Sequence, residues 1–428
     1  MDFKDIVQKF IAPLFSIKEN VICGQESLER MPQSYCSIGV ANQILILRRE
    51  KIKNGDKIEL KRTQAFSVEE RSIANEFLRF LNDGNLYNTV SELDFSVYPK
   101  VLELTMLKTV MPDISNDAFF RDLSFLFDYW SNRTYEGNKI SFAIKVPKKI
   151  EENESYFNEC KQDYFASLSN GVDEFIQLNK HGEVDKIIFC EKKDLKELAP
   201  LRFLKLAKAS DKCVIVALTR NSEILIFKDG KVWAAKRNMQ WILYTHDTYL
   251  KKMGLGIPKW TQNLKETMYQ TALDTSYTKT GAILAMLFYD ENKEEIDNVI
   301  GKDKLIISEN ETNKKIKTIC NLIKKNNGEL YKFQELNRSL RAELASMDGA
   351  FIFSTTGKIL AVGAIINQVD KGQNNGGGRS AATKMLAKYG IAMKISNDTY
   401  IECYATEKNS AGKSAKPQLL FSIGNKTT

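Results

Sequence analysis

Two short segments in the C-terminal third hold the residue types best suited to phosphate chemistry. The first is the glycine-rich run Gly376-Gly377-Gly378-Arg379-Ser380, which stands between a predicted strand and a predicted helix. Glycine lets the backbone come close to an anion, the first N–H groups of a helix lack internal partners, and arginine offers a planar, charged fork. The run therefore predicts a phosphate-binding loop; a plain surface loop ahead of the helix is the alternative.

The second segment, Met347-Asp348-Gly349-Ala350, joins a predicted helix to a predicted strand. Aspartate before glycine at such a junction often does no more than form a turn. A carboxylate there could also bind Mg²⁺ or Mn²⁺ and help to deprotonate a hydroxyl nucleophile. Asp348 is thus a candidate metal ligand and catalytic group, with a simple turn former as the alternative.

Three further patterns indicate structure rather than chemistry. Ala411-Gly412-Lys413-Ser414 ends like a P-loop, but Glu407 stands where that motif has its first glycine. The lysines between 314 and 325 fit the solvated face of a helix. The aromatic residues around Trp233 and Trp241 fit a core better than a surface for stacking bases.

The composition is that of a globular protein with more than one domain. The 428 residues are 43% hydrophobic and 27% charged, and a domain usually takes about 100–200 residues. The longest apolar runs fall well short of the ~18 residues that a spanning helix needs, and Met1–Ser16 is amphipathic, with acidic Asp2 and Asp5, rather than signal-like. We therefore expect a cytoplasmic protein without a membrane partner.

Histidine and cysteine usage argues against two common kinds of site. The chain has only two histidines, His181 and His246, which are far apart and lack ligand-spaced neighbours. This disfavours a zinc centre and a Ser-His-Asp triad. The seven cysteines show neither a CxxC pattern nor paired spacing, so reduced core thiols are expected.

Positive charge is concentrated in the C-terminal part. Residues 301–428 contain 20 Lys and Arg against 11 Asp and Glu, whereas residues 1–300 contain 42 against 43. A positive field suits a polyphosphate ligand or a nucleic acid, although a solvated surface is the simpler explanation of the charge alone. Nucleic acid is therefore not the favoured partner.

Apolar periodicity predicts the elements that position these residues. In the C-terminal part it predicts helices at 262–275, 311–326 and 333–346, a helix opened by Arg379 and Ser380, and strands at 281–289, 304–307, 351–354, 358–366, 391–395 and 399–404. Ahead of it, the patterns predict a helix within 3–15, a hairpin of 35–49 with 58–66, a helix capped by Ser67 and Glu70, a helix at 118–131 and a strand at 139–146. Between these regions they predict helices near 170–178 and 199–208, strands at 186–190 and 213–219, and a hairpin turn at Asp229-Gly230.

Four segments, in order, resemble the diadenylate cyclase (DAC) domain, the nucleotide-cyclising domain of the DisA type. They are Thr280–Leu284, similar to its early strand; Asp348-Gly349-Ala350, which matches its Asp-Gly-Ala motif; Gly357–Ala364, similar to the strand pair that follows; and Gly377–Ala382, similar to its Arg-His-Arg-x-Ala segment. Ile391–Ser396 resembles the succeeding strand. The likeness covers about residues 265–405.

The resemblance implies an enzyme that condenses two ATP molecules into cyclic di-AMP with Mg²⁺ or Mn²⁺ as cofactor. Two ATP-loaded domains would meet face to face in a homo-oligomer, and each ribose 3′-hydroxyl would attack the α-phosphate of the other nucleotide. Asp348 would bind the metal and activate the hydroxyl. Arg379 and the amides of Gly376–Ser380 would hold phosphates, and Gly349 and Ala350 would line the nucleotide site.

Departures from the family pattern support a second hypothesis. Where the family has Arg-His-Arg, this chain has the single Arg379, and the family's later Ser-Glu-Glu stands here as Ser396-Asn397-Asp398. Loss of charged groups around the phosphates lowers catalysis more than binding. The alternative is therefore a DAC-type fold that binds a nucleotide and signals without turnover.

The predicted fold class is mixed α/β, with a mixed sheet flanked by helices in the C-terminal domain. The predicted domains are an N-terminal α+β sensor-like domain at 1–150, a middle α/β region at 151–260 and a DAC-like domain at 265–428. Residues 1–260 resemble, in general organisation only, the sensor-like regions that precede some DAC domains in bacterial nucleotide-signalling and defence systems. We expect this region to permit or forbid the pairing of the C-terminal domains.

Overall fold

The chain forms two compact units. The computed structural model describes residues 2–17, 21–28, 30–51, 54–62, 64–82, 97–152, 156–191, 197–254, 261–278, 280–301, 304–306, 313–367, 377–406 and 416–424. Unit 1 comprises Met1–Lys196 and Lys205–Leu243, and unit 2 comprises Glu197–Leu204 and Tyr244–Thr428. The fold is mixed α/β, which confirms the predicted class. Within the described ranges, every helix is too short or too polar to cross a lipid bilayer.

Unit 1 contains two larger sheets and a set of helices. Its strands are β1 Val21–Ser27, β2 Cys36–Ile38, β3 Ile44–Arg48, β4 Asn54–Lys61, β5 Thr134–Tyr135, β6 Asn138–Lys139, β7 Phe142–Val146, β8 Glu174–Leu178, β9 Val184–Phe189, β10 Val214–Leu218, β11 Ile224–Lys228, β12 Lys231–Arg237 and β13 Gln240–Leu243. Its helices are α1 Phe3–Ile6, α2 Val68–Asn82, α3 Val97–Val110, α4 Asp117–Ser131 and α5 Leu204–Ala209, whose first residue belongs to unit 2.

One buried cluster joins the layers of unit 1. The sheet order is β1-β4-β3-β2 in the first sheet and β13-β12-β11-β10-β7-β8-β9 in the second, and β5 pairs only with β6. Only β7 and β8 run parallel in the second sheet. Apolar side chains of α2, α3 and α4 lie in the same cluster as residues of both larger sheets. The second sheet therefore takes strands from either side of position 150.

Local sequence signals account for several of these elements. Ser67 and Glu70 form the predicted capping box, in which the N–H of Ser67 donates to Oε2 of Glu70 and the N–H of Glu70 donates to Oγ of Ser67. Asp229 and Gly230 adopt φ of 51° and 75° in the tight turn between β11 and β12. Both predictions are confirmed, because capping and turn geometry depend on neighbouring residues alone.

Three predicted elements are wrong or displaced. Residues 174–178, predicted as part of a helix, form β8, which lies between β7 and β9 and is buried on both faces, so its apolar residues do not alternate. Lys304–Ile306 is not a strand, and its backbone bond from Ile306 to Leu360 stands outside the sheet ladder; Ile307 lies outside the described residues. The helix predicted at 333–346 begins only at Arg338, because Asn337 caps it.

A buried carboxylate in unit 1 makes its stability depend on pH. Glu103 on α3 is 1% exposed and receives hydrogen bonds from Ser124, Lys100 and Lys236. Burial alone would raise the pKa of Glu103, but the two lysines outweigh it and lower the pKa. Because the folded pKa lies below the unfolded value, this stabilisation is present above about pH 4.3 and is lost as pH falls through the folded pKa.

Replacement of Glu103 by Gln is expected to lower the free energy of unfolding by about 3–5 kcal/mol at pH 7, because Lys236 then stays buried without its counter-charge. The loss should shrink as pH falls below about 4. Urea unfolding at pH 7 and at a pH below about 4 measures the change in the free energy of unfolding. Glu76→Gln, which removes a partly exposed partner of Arg79, is the matched control and should change the free energy of unfolding little. An equal loss in Glu103→Gln at pH 7 and below about pH 4 would contradict this account.

Unit 2 is built on a six-stranded sheet. Its strands are β14 Ala282–Leu287, β15 Ala350–Ser354, β16 Ile359–Ala364, β17 Gly390–Ile395, β18 Ile401–Ala405 and β19 Gln418–Ile423, in the order β16-β15-β14-β17-β18-β19. Its helices are α6 His246–Gly254, α7 Gln262–Tyr277, α8 Lys293–Ile300, α9 Lys314–Leu322, α10 Arg338–Ala345 and α11 Gly377–Ala387. Only β14 and β15 are parallel neighbours.

Helices cover both faces of this sheet. Ile283, Ala285 and Leu287 of β14 share a buried cluster with residues of α8 and α11. Helices α7 and α10 contact the same central strands and pack on the opposite face, where the alternate residues of β14 point. The central strands are therefore buried on both faces. Polar side chains that could contact a ligand are expected at the ends of these strands.

Candidate functional site

The topology of unit 2 brings the predicted segments to one end of the sheet. Because β14 and β15 are parallel and adjacent, Gly281 and Asp348, which precede them, lie at the same edge. Strand β17 is antiparallel to β14, with Ile395 opposite Ala282, so Asn397 follows at that edge too. Helix α11 runs back along the sheet to β17 and starts at this end with Gly377. Four segments far apart in sequence thus meet there.

The two residues expected to carry chemistry lie together. Nη2 of Arg379 is 3.8 Å from Oδ1 of Asp348. The guanidinium also lies against Gly281 and Asn397: a Cβ added at Gly281 would be 2.7 Å from Cζ of Arg379 and would overlap Oδ1 of Asn397. We name Gly281, Asp348, Arg379 and Asn397 the strand-end cluster.

The charges of this cluster are accessible to a ligand. The side chain of Asp348 is 87% exposed and that of Arg379 is 46% exposed. An ion pair in that setting contributes about 0–1 kcal/mol, because water screens it. A phosphate group can therefore replace the carboxylate of Asp348 as the partner of the guanidinium. The carboxylate is then free to bind a cation or accept a proton.

The start of α11 has room for an anion. A Cβ at Gly377 or Gly378 would meet no atom of the described residues within 4 Å, and Gly377 adopts a φ of 73°, which favours glycine. The first N–H groups of the helix have no partner within it. Ser380 is buried in the first turn, and Gly376 lies outside the described residues. Open backbone amides and one guanidinium therefore stand side by side.

Gly349 has a packing role of its own. Its φ is 109°, and a Cβ there would lie 2.6 Å from the carbonyl carbon of Gly363 on β16. The side chain of Ala350 is fully buried in the core cluster of the sheet. Gly349 thus allows two backbones to pass closely beside Asp348, and Ala350 presents only its backbone to the strand end.

Sequence reasoning overlooked one cation beside this site. Nζ of Lys315 on α9 donates to the carbonyl of Gly363 at 2.9 Å, next to the backbone of Asp348. In sequence, Lys315 is one member of a lysine run typical of a solvated helix face. No local sequence signal distinguishes Lys315 from the other lysines of this run, because its position beside the site results from the packing of α9 near β16.

A metal ion would depend on the nucleotide for most of its ligands. Among the described residues, no group of three or more His, Cys, Asp or Glu side chains is placed to hold one. Mg²⁺ commonly takes one or two carboxylates and completes its shell with phosphate oxygens and water. The exposed carboxylate of Asp348 fits that arrangement as a single protein ligand.

No protein-family model and no curated protein matches this chain.

Gly281→Ala tests whether the position of the guanidinium matters. The added methyl overlaps Arg379 and Asn397, which are mobile side-chain ends rather than backbone, so Arg379 should swing away while the fold is kept. On the hypothesis that Arg379 holds a phosphate of ATP, a contact made by a charged group contributes about 1.5–3 kcal/mol, and we expect ATP affinity to fall by at least about tenfold. Calorimetric titration measures this.

The matched control is Gly24→Ala on β1, where a Cβ would meet only Cε of Lys57 at 3.7 Å. It should leave both ATP affinity and the melting temperature unchanged. Unchanged ATP affinity in Gly281→Ala would show that Arg379 does not contact the nucleotide.

Proposed function

We propose that unit 2 binds a nucleoside triphosphate at the strand-end cluster and acts as a nucleotide second-messenger synthase of the diadenylate cyclase kind. The observation that carries the proposal is the approach of Arg379 to Asp348, 3.8 Å apart, beside the open start of α11. In the DAC domain that this region resembles, the corresponding segments serve one nucleotide. A guanidinium, a carboxylate and helix-start amides within one small area suit phosphoryl transfer, which depends on positioning and charge.

Each group of the cluster has its own role in the proposed reaction. Arg379 and the amides of Gly377 and Gly378 bind phosphate oxygens, and their positive potential favours the charge that develops there. Asp348 accepts the proton of the attacking 3′-hydroxyl. The new bond joins O3′ to the α-phosphorus, the bond to the β-phosphate oxygen breaks, and pyrophosphate leaves. Mg²⁺ or Mn²⁺, when bound at Asp348, supplies further positive charge to the phosphates.

Ring closure requires two such sites. Each nucleotide provides one 3′-hydroxyl and one α-phosphate, so two loaded copies of unit 2 have to face each other to give cyclic di-AMP. The exposure of Asp348 supports such a meeting, because its carboxylate is open to a nucleotide brought by a second copy. In this proposal unit 1 acts as the sensor region that controls the pairing.

The second candidate function is a nucleotide sensor without turnover. Arg379 is the only arginine of the described α11 start, and it lies next to Asn397, where the DAC pattern has a carboxylate. One guanidinium and several amides suffice to bind a triphosphate, whereas stabilising the transition state takes more charge.

Incubation of the full chain with ATP and Mn²⁺, followed by chromatography and mass analysis, separates the two candidates. A cyclic dinucleotide and pyrophosphate in the products support the synthase. Saturable ATP binding that is weakened by Arg379→Gln, without any product, supports the sensor. Absence of both binding and product overturns the proposal.

A further inference from the structure

Unit 1 has a cavity of about 480 Å³ at one end of its seven-stranded sheet. Its walls are residues 145–148, 177–178 and 211–213, together with Ala209. These segments follow β7 and β8 and precede β10, so the cavity lies at the carboxyl ends of the parallel pair. That is where open α/β sheets usually bind ligands, and small-molecule sites commonly measure about 300–1,000 Å³.

A second cavity of about 240 Å³ adjoins the first. The two share a wall made of residues 146–148 and 212–213. Lys148 and Lys212 therefore border both spaces, and Lys228 borders the second.

The lysines of the larger cavity lack acidic partners. Nζ of Lys145 donates to Oε1 of Gln177 at 3.2 Å, and the amide group of Gln177 donates in turn to Asp185. Within the described ranges, Lys145, Lys148 and Lys212 form no ion pair with a carboxylate. Because residues 1–300 as a whole carry no excess of positive charge, this concentration is local.

We propose that this cavity binds a small anion that carries phosphoryl groups, a nucleotide or an inorganic polyphosphate, through Lys145, Lys148 and Lys212. Three lysines line a space of ligand size whose lining contains one carboxylate residue, Asp211. Lysine binds phosphate as a point charge and needs no fixed fork. The inference lies in unit 1 and does not depend on the function proposed for unit 2.

An extended nucleic acid fits this surface less well than a small anion. Asp113 and Asp229 line the adjoining cavity, and a phosphate chain that ran on from the lysines would meet these carboxylates. Nucleic-acid surfaces need a continuous basic stripe. The charge pattern is therefore that of a confined anion site.

Calorimetric titration of the full chain carrying Arg379→Gln tests the proposal, because that substitution weakens the phosphate site of unit 2. Inorganic tripolyphosphate and ATP are titrated side by side into this parent, and into the parent with Lys148→Gln or Lys212→Gly added. Lys212 adopts a φ of 62°, which glycine accepts freely, so Lys212→Gly removes the charge without straining the fold. Lys186→Gln, on the exposed part of β9, is the matched control.

We expect the parent to bind at least one of the two probes and each cavity variant to bind it at least about tenfold more weakly, while Lys186→Gln binds like the parent. Tighter binding of ATP than of tripolyphosphate identifies a nucleotide as the ligand class, and equal binding identifies the inorganic anion. The proposal is overturned if neither probe binds the parent, if the cavity variants bind as the parent does, if Lys186→Gln loses as much affinity, or if a single-stranded oligonucleotide competes more strongly than either probe.

Discussion

Replacement of Asp348 by Asn is expected to reduce cyclic dinucleotide formation from ATP and Mn²⁺ by about 10²–10⁴-fold. Asparagine has nearly the same shape, but it neither accepts the proton of the 3′-hydroxyl nor binds a divalent cation with a full charge. Because the native side chain is 87% exposed, the substitution should leave the melting temperature unchanged. The initial rate of product formation, followed by chromatography, measures the effect.

ATP binding should survive this substitution. The carboxylate of Asp348 repels phosphate oxygens, and in the free protein it forms an ion pair with Arg379. Asp348→Asn is therefore expected to bind ATP as well as the native chain or better. The matched control is Asp290→Asn, an exposed aspartate beyond the opposite end of β14, which should leave the rate unchanged. A native rate of synthesis in Asp348→Asn would remove this carboxylate from the mechanism.

The second large effect is expected on stability. Arg338 at the start of α10 is 9% exposed, and its guanidinium forms two hydrogen bonds of 2.8 Å with the carboxylate of Asp274 on α7. It also donates to Glu197 and to the carbonyl of Ala199, while Asp274 accepts the N–H of Leu201. The buried ion pair of Arg338 and Asp274 thus holds segment 197–204 against α7 and α10 of unit 2.

Arg338→Met should lower the free energy of unfolding by about 3–5 kcal/mol, because Asp274 is then buried without its partner. Burial on its own would lower the pKa of Arg338, but the hydrogen bonds that it donates to Asp274 and the charge of that residue raise it. Urea or thermal unfolding measures the loss. Lys325→Met, which breaks the more exposed pair with Glu335, is the control and should change the free energy of unfolding little, because water screens that pair.

The double variant Arg338→Met with Asp274→Leu tests why Arg338→Met is less stable. It distinguishes the cost of a buried carboxylate without its charged partner from the cost of altered packing. Replacing both members of a buried ion pair by apolar residues is often neutral or stabilising. We therefore expect it to recover most of the stability lost in Arg338→Met. A double variant as unstable as the single one would show that Arg338 acts through Glu197 and Ala199 instead.

This pair also bears on the candidate site. Helix α7 leads to Gly281 and helix α10 leads to Asp348, so the same contact that fastens segment 197–204 positions the two helices that enter the strand-end cluster. The chain on either side of the segment belongs to unit 1. Loosening of α7 and α10 in Arg338→Met should therefore weaken ATP binding before the protein unfolds.

Much of the fold could be predicted from the sequence, and the exceptions have physical causes. Helices such as α4 and α7 follow from apolar residues at helical spacing with a side-chain cap. The strand β8 was predicted as helix because both of its faces are buried, which removes the alternation that identifies a strand. The contact of Lys315 with Gly363 could not be predicted, because it arises from packing between distant segments.

Local patterns predicted the strands β14 to β18, the helix α7 and the chemistry available at the strand ends, which is an aspartate before a strand and glycines with an arginine opening a helix. These depend on local periodicity and turn geometry, which neighbouring residues decide. That Gly281, Asp348, Arg379 and Asn397 lie at the same end of the sheet follows from the three-dimensional fold and not from local patterns. The reason is sheet topology, since the parallel pairing of β14 with β15 and the antiparallel return of β17 bring those positions together, and strand order is set by long-range packing.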